Sequence, residues 1–169
     1  MALAALPPRA WLKFKGFTLG ASDSGGPVSP DEVRAAFLSA CRDRASPAST
    51  ILGVLNHLAK MKAALQFAEC DRHGRFPLHE AAYAGNIAAC RWILSQLRTG
   101  SMVYGAPHHT TKLGETPLHL ACLKGHANAA QLLLAADGSQ VSTRTTAGLS
   151  PLHVACSGGF LEITKHLAM

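Results

Sequence analysis

The chain has 169 residues, 48% hydrophobic and only 15% charged, which is enough for one packed domain and too apolar for wholesale disorder. Its net charge of +6 comes from sixteen Lys and Arg residues scattered singly, which argues against a dedicated nucleic-acid binder, and nowhere do the ~18 consecutive apolar residues of a membrane span occur. Five cysteines without C-x-x-C spacing or a convincing secretory signal indicate a reducing compartment, the cytoplasm or the nucleus, while an aromatic share of 6% beside plentiful Ala and Leu favours thin helices in close contact.

Residues 1–29 read as a flexible leader ending in "LGASDSGGPVSP". Its first 22 residues hold Arg9, Lys13 and Lys15 and no acid, the charge bias of an organellar presequence without the sustained amphipathic period. The string "SDSGGP" resembles the nucleophile segment of trypsin-like serine proteases, with Ser24 in the serine position. Only 23 residues precede Ser24 and none is His, so no triad can be assembled in that family's order. A helix starts at Ser29, whose hydroxyl caps, with Pro30 next and Asp31 and Glu32 at the positive end of the dipole. "ILGVLNHLAKM" supplies a second helix.

From residue 74 the chain repeats itself. "GRFPLHEAAYAG" (74–85), "GETPLHLACLKG" (114–125) and "GLSPLHVACSGG" (148–159) share a Gly three residues before Pro, His two after it, Ala four after it and a second Gly eight after it. Gly74, Gly114 and Gly148 permit a tight turn, Thr116 or Ser150 caps, Pro117 or Pro151 opens a short helix, and Gly85, Gly125 or Gly159 ends it. A second helix follows, with Ile87, Cys90, Ile93 and Leu94 apolar in the first copy and Leu132, Leu133 and Leu134 in the second. Phe76 stands where the other copies carry the capping hydroxyl. That loses about 1 kcal/mol of cap energy unless the ring packs or serves as an exposed anchor.

His119 with Cys122, and His153 with Cys156, present an imidazole and a thiol on one helical face, as a zinc site would. The first copy has His79 with Ala82, so the position asks for a small residue, and no four-ligand set closes. His108 and His109 in the linker have no partner to complete a site, and Met102 and Tyr104 there suit contact better. No metal or cofactor is implied.

The intact T-P-L-H-x-A string at Thr116, Pro117, Leu118, His119 and Ala121 resembles the ankyrin repeat. The resemblance implies an all-α solenoid of stacked helix-turn-helix pairs joined by hairpin loops. Three repeats cover 71–169, at about 71–110, 111–144 and 145–169, residues 30–70 form a degenerate capping repeat, and "ALQFAECDRHG" (64–74) looks like a family hairpin. Pro77 and Pro117 are 40 residues apart and Pro117 and Pro151 are 34 apart, so against a period of about 33 the first linker carries extra residues, expected as an enlarged loop within 95–113. The sequence stops at Met169 without a polar cap, so that end is expected to be marginal, to belong to a longer repeat protein or to lie against a partner.

The resemblance further implies that His79, His119 and His153 are structural, bonding loop backbone and neighbouring repeats, as are the helix-ending glycines Gly85, Gly125 and Gly159. It assigns partner contacts to hairpin tips and the inner-helix groove. These are Arg72, His73, Arg75 and Tyr83, then Lys112, Leu113, Glu115, Leu123 and Lys124, with Leu149 in a third set of otherwise small, neutral residues. Function is therefore expected to be protein–protein interaction, as a scaffold or adaptor and not an enzyme, with a partner presenting an acidic segment and an apolar anchor. Two alternatives stay open: a basic solenoid associated with nucleic acid, and a targeting or regulatory part of a longer multidomain protein.

Overall fold

A computed structural model describes residues 30–44, 47–60, 70–99 and 109–168. The leader with Ser24, residues 64–69 of the hairpin expected at 64–74, and Met102, Tyr104 and His108 of the long linker lie outside these residues. The described residues contain eight α-helices, one 3-10 turn and no strand. The helices are α1 (Pro30–Arg42), α2 (Ala48–Lys60), α3 (Pro77–Ala84), α4 (Ile87–Thr99), α5 (Pro117–Leu123), α6 (Ala127–Ala136), α7 (Pro151–Ser157) and α8 (Leu161–Leu167), with the 3-10 turn at Gly138–Ser142 after α6.

Consecutive helices pair, and the pairs stack in chain order. One layer holds α1, α3, α5 and α7, the other α2, α4, α6 and α8. Helices of seven or eight residues do not persist alone in water, so α3, α5 and α7 depend on their neighbours. Their contact sides carry Ala81, Ala82, Ala121 and Cys122, all wholly buried, and these small side chains let adjacent axes approach closely. Leu78 and Leu118 fill the remaining space, each worth about 1.5–3 kcal/mol of burial.

In the second layer Cys90, Ile93, Leu94 and Leu133 are buried, as are Ile163 and Leu167. Leu132 and Leu134 flank Leu133 but are only half-buried, because three consecutive leucines cannot all face one side of a helix. At the other end Phe37, Cys41, Ile51 and Leu55 of α1 and α2 are buried, the Phe37 ring lies 6.0 Å from that of Trp92, and Trp92 Nε1 donates to Asn56 Oδ1 at 2.8 Å. The helix α4 runs to Thr99, so Ser95–Thr99 are helical and not loop as the sequence suggested. Leu97 is half-buried against the core, and Arg98 suits the negative end of the helix dipole.

Local chemistry sets the helix ends. Thr116 Oγ1 accepts from His119 N at 3.4 Å while His119 Nδ1 accepts from Thr116 N at 3.2 Å, and Ser150 and His153 repeat the arrangement. Phe76 forms only the half that needs no hydroxyl, with its N–H donating to His79 Nδ1 at 3.2 Å. Its ring is half-buried and stacks 5.1 Å from His109, so packing replaces part of the missing cap. Gly85 ends α3 at φ 70, and a Cβ there would meet the His126 ring at 2.6 Å.

Candidate functional site

Each hairpin is closed by a residue three before its glycine. Asp71 Oδ1 accepts from His73 N and Arg75 N, both at 2.8 Å, and Thr111 Oγ1 accepts from Leu113 N and Glu115 N, both at 3.2 Å. Thr145 Oγ1 accepts from Leu149 N at 3.2 Å. These are Asx and Ser/Thr turns, in which a short side chain satisfies backbone donors that would otherwise face solvent unpaired. Burial opposes ionisation of Asp71, but those two N–H groups prevail and hold its carboxyl below the usual range. Successive hairpins then join, Lys112 N donating to His73 O at 3.0 Å and Thr146 N to Leu113 O at 2.9 Å. A Cβ on Gly74 would stand 2.9 Å from Lys112 N, which no side-chain-bearing residue could accommodate.

The tips thus become one row. Arg72 and His73 are exposed, with Arg72 Nε donating to His73 Nε2 at 3.0 Å; Lys112 is exposed, Leu113 is 60% exposed and Leu149 is 45% exposed. Glu115 is half-buried and accepts from Thr111 Oγ1 at 3.2 Å.

Histidines of the first layer reach from one unit to the next. His79 Nε2 meets Glu115 O at 3.2 Å, and His119 Nε2 meets Leu149 O at 3.1 Å. Since Nδ1 of each ring accepts from a backbone N–H, the ring proton sits on Nε2 and is donated to the carbonyl. Burial pushes the His79 imidazole down to about 4, with Arg75 adding to the effect, and burial lowers His119 as well. His153 binds its own cap through Nδ1 but is exposed.

Where the first two units meet, Tyr83 brings them together. The guanidinium of Arg75 lies 5.5 Å from the ring centroid and the ammonium of Lys124 lies 4.6 Å from it. Leu123, beside Lys124, is 49% exposed. Beneath them is Glu80, buried on α3, with Oε2 2.7 Å from Arg42 Nε and Oε1 3.6 Å from an Arg75 terminal nitrogen. Arg75 Nε is buried without a hydrogen-bond partner.

Several residues that build this site escape a reading by motif. Asp71, Thr111 and Thr145 share one offset from the turn glycine, a signal available in the sequence. Asn86 follows Gly85 and donates to Ala40 O at 3.1 Å and Asp43 O at 2.7 Å, while accepting from Ala89 N at 3.0 Å. His126, at the equivalent position, contacts Tyr83 O at 3.1 Å and so fixes the end of α3 under the Tyr83 ring; burial and the nearby Arg44 lower its pKa. Gln140 is wholly buried, its Oε1 accepting from Leu118 N at 3.3 Å. Glu80 occupies a position where the other copies have Leu120 and Val154, so no pattern marks it.

The family model described as ankyrin repeats (3 copies) matches residues 99–169. Among known proteins, the chain is 37% identical over 89 residues to ankyrin repeat domain-containing protein 13C of Danio rerio, covering 53% of this chain and 16% of that protein. It is 29% identical over 157 residues to alpha-latrotoxin-Lhe1a of Latrodectus hesperus, covering 92% of this chain and 10% of the toxin. It is 31% identical over 113 residues to transient receptor potential cation channel subfamily A member 1 of Homo sapiens, covering 67% of this chain and 9% of the channel. The chain therefore spans only a small part of the length of these relatives. The two-layer stack of helix pairs, the repeated hairpins and the match over 99–169 agree: the chain carries ankyrin repeats.

Proposed function

We propose that the chain is a protein-interaction module, a scaffold or adaptor, that holds its partner along the hairpin tips and the concave face of α3 and α5. The fold is one of binding rather than catalysis, and what supports this face in particular is the convergence of Arg75 and Lys124 on Tyr83 beside the exposed Leu123. A planar cation and a rigid ring bury much area at small entropic cost, and leucines exposed at 49 and 60% supply apolar surface next to them. The contact set is Arg72, His73, Arg75, Tyr83, Lys112, Leu113, Glu115, Leu123, Lys124 and Leu149, and the partner contributes an acidic segment with an apolar anchor. Five unpaired thiols, three of them buried, suit a reducing compartment, the cytoplasm or nucleus.

Affinity capture from native cells, run in parallel with an Arg72→Glu/Arg75→Glu variant shown to be folded, tests the proposal. Partners retained by the parent chain should be lost by the variant, and undiminished capture would reject this face. The net charge of +6 supports a second reading, association with nucleic acid. Retention on duplex DNA that falls steeply with salt would favour it, and absence of any mobility shift at low salt would dismiss it.

A further inference from the structure

The second and third units each cover the unit before them at the same places, and on the third unit those places stand open. A Cβ on Gly74 or Gly114 would lie 2.9 Å from the backbone nitrogen of Lys112 or Thr146, whereas one on Gly148 would meet nothing within 4 Å among the described residues. A Cβ on Gly85 would strike the His126 ring at 2.6 Å and one on Gly125 the Phe160 ring at 2.4 Å, whereas one on Gly159 again meets nothing within 4 Å.

Hydrogen bonding changes in step. His73 O and Leu113 O each accept an N–H from the following hairpin, and Ala147 O, the equivalent carbonyl, accepts none among the described residues. His79 and His119 reach Glu115 O and Leu149 O through Nε2, but the ring of His153 is exposed and bonds only through Nδ1. Burial follows the same course: Leu118, Leu120 and Cys122 are wholly buried on α5, while on α7 Leu152 and Val154 are half-buried and Cys156 is exposed. Leu161, at the start of α8, is 73% exposed.

The covered junctions specify what fits this face. A lone helix would shield Leu152 and Val154 but leave Ala147 O and His153 Nε2 without partners. An extended segment would pair with Ala147 O and leave Gly159 open. One folded repeat supplies the whole set at fixed offsets. The N–H two residues before its turn glycine donates, as Lys112 and Thr146 do; the carbonyl directly after that glycine accepts, as those of Glu115 and Leu149 do; and the ring directly after its helix-ending glycine covers, as those of His126 and Phe160 do.

We propose that the face carrying Ala147, Leu152, His153, Cys156 and Gly159 is a docking surface for a further ankyrin-type repeat. That repeat donates a hairpin N–H to Ala147 O, accepts from His153 Nε2, places a ring over Gly159 and buries Cys156 as Cys122 is buried. Stacking on such a neighbour is a nearest-neighbour interaction, the term that holds repeat arrays together. The surface is separate from the contact set centred on Tyr83, Arg75 and Lys124.

The Cys156 thiol reports occupancy. Intact native cells and the purified chain are each treated briefly with a permeant maleimide and compared by peptide mass spectrometry. Exposed Cys70 should label in both, whereas Cys156 should label about tenfold or more slowly in cells than in the purified chain. Equal labelling of Cys156 in the two would overturn the proposal. The nature of the occupant is tested on a purified chain with a second copy of residues 136–169 joined after Met169, that copy carrying Cys156→Ser so that only the original thiol is read. The copy should protect Cys156 to a similar degree, while buried Cys122 stays unlabelled and shows the stack intact. Thr146→Pro in the appended copy, which removes the N–H aimed at Ala147 O, should return part of the labelling. Labelling of Cys156 as fast with the copy as without it would overturn a repeat as the occupant. Neither readout involves Arg72 or Arg75, so the contact face proposed above stands or falls separately.

Discussion

His79 Nε2 and Glu115 O lie 3.2 Å apart although the residues are separated by 36 positions, and this bond joins the first-layer helix of one unit to the hairpin of the next. His119 and Leu149 repeat the relationship at 3.1 Å. Replacing His119 by Ala leaves the Leu149 carbonyl and the Thr116 N–H without the ring that serves both, and should cost about 2–3 kcal/mol in urea unfolding. Thr116→Ala removes only the hydroxyl half of the cap and should cost about 1 kcal/mol.

Acid should unfold the protein through these same rings. His79 is held near 4 in the folded chain against 6.5 for the free side chain, and His119 and His126 are shifted in the same direction. Between pH 6.5 and 4 the unfolded chain binds a proton at His79 that the folded chain refuses. The His79 contribution is therefore complete above about pH 7 and declines by about 1.4 kcal/mol per pH unit as the pH falls through that window. Thermal melts from pH 7.5 to 4.5 should show Tm decreasing, and His79→Gln should flatten the dependence. An unchanged slope in that variant would assign the effect elsewhere.

Much of the stack is legible in the sequence because its determinants are local. Gly85 must reach φ 70, Pro117 tolerates only the start of a helix, and Ala81 and Ala121 are small where axes approach. The pairing of Tyr83 with Arg75 and Lys124 was less visible, since Lys124 comes from the next unit and a residue list records no distance between units. The burial of Glu80 was invisible for a different reason. A carboxylate at a position otherwise filled by Leu120 and Val154 looks like a solvated substitution until Arg42, 38 residues earlier, is placed against it.

That carboxylate gives a separable prediction. Glu80 is 5% exposed and Arg42 56%, so Arg42→Ala leaves a buried charge with only the more distant Arg75 and should cost about 2 kcal/mol. Glu80→Leu installs the residue that the second unit has at that position and should be nearly neutral. In the Glu80→Leu background the Arg42→Ala change should cost almost nothing, and chemical denaturation of the four proteins of this cycle measures the coupling directly.

Thiol chemistry should separate the cysteines by burial. Burial pushes Cys90 and Cys122 up to about 12 and also raises Cys41, whereas Cys70 and Cys156 are exposed. Brief alkylation at pH 8 followed by peptide mass spectrometry should label Cys70 and Cys156 in the folded chain and reach the other three only in denaturant. Rapid native labelling of Cys122 would show that α5 opens readily.

Because each imidazole grips the hairpin of the following unit, shape and stability are offset by one repeat. A lesion at His79 loosens the tip bearing Lys112 and Leu113 while leaving its own tip, closed by Asp71, intact. A lesion at His119 falls in the same way on Leu149. Interaction-deficient variants of this chain will therefore include substitutions in walls that no ligand touches, displaced by one unit toward the N-terminus from the contact they disturb.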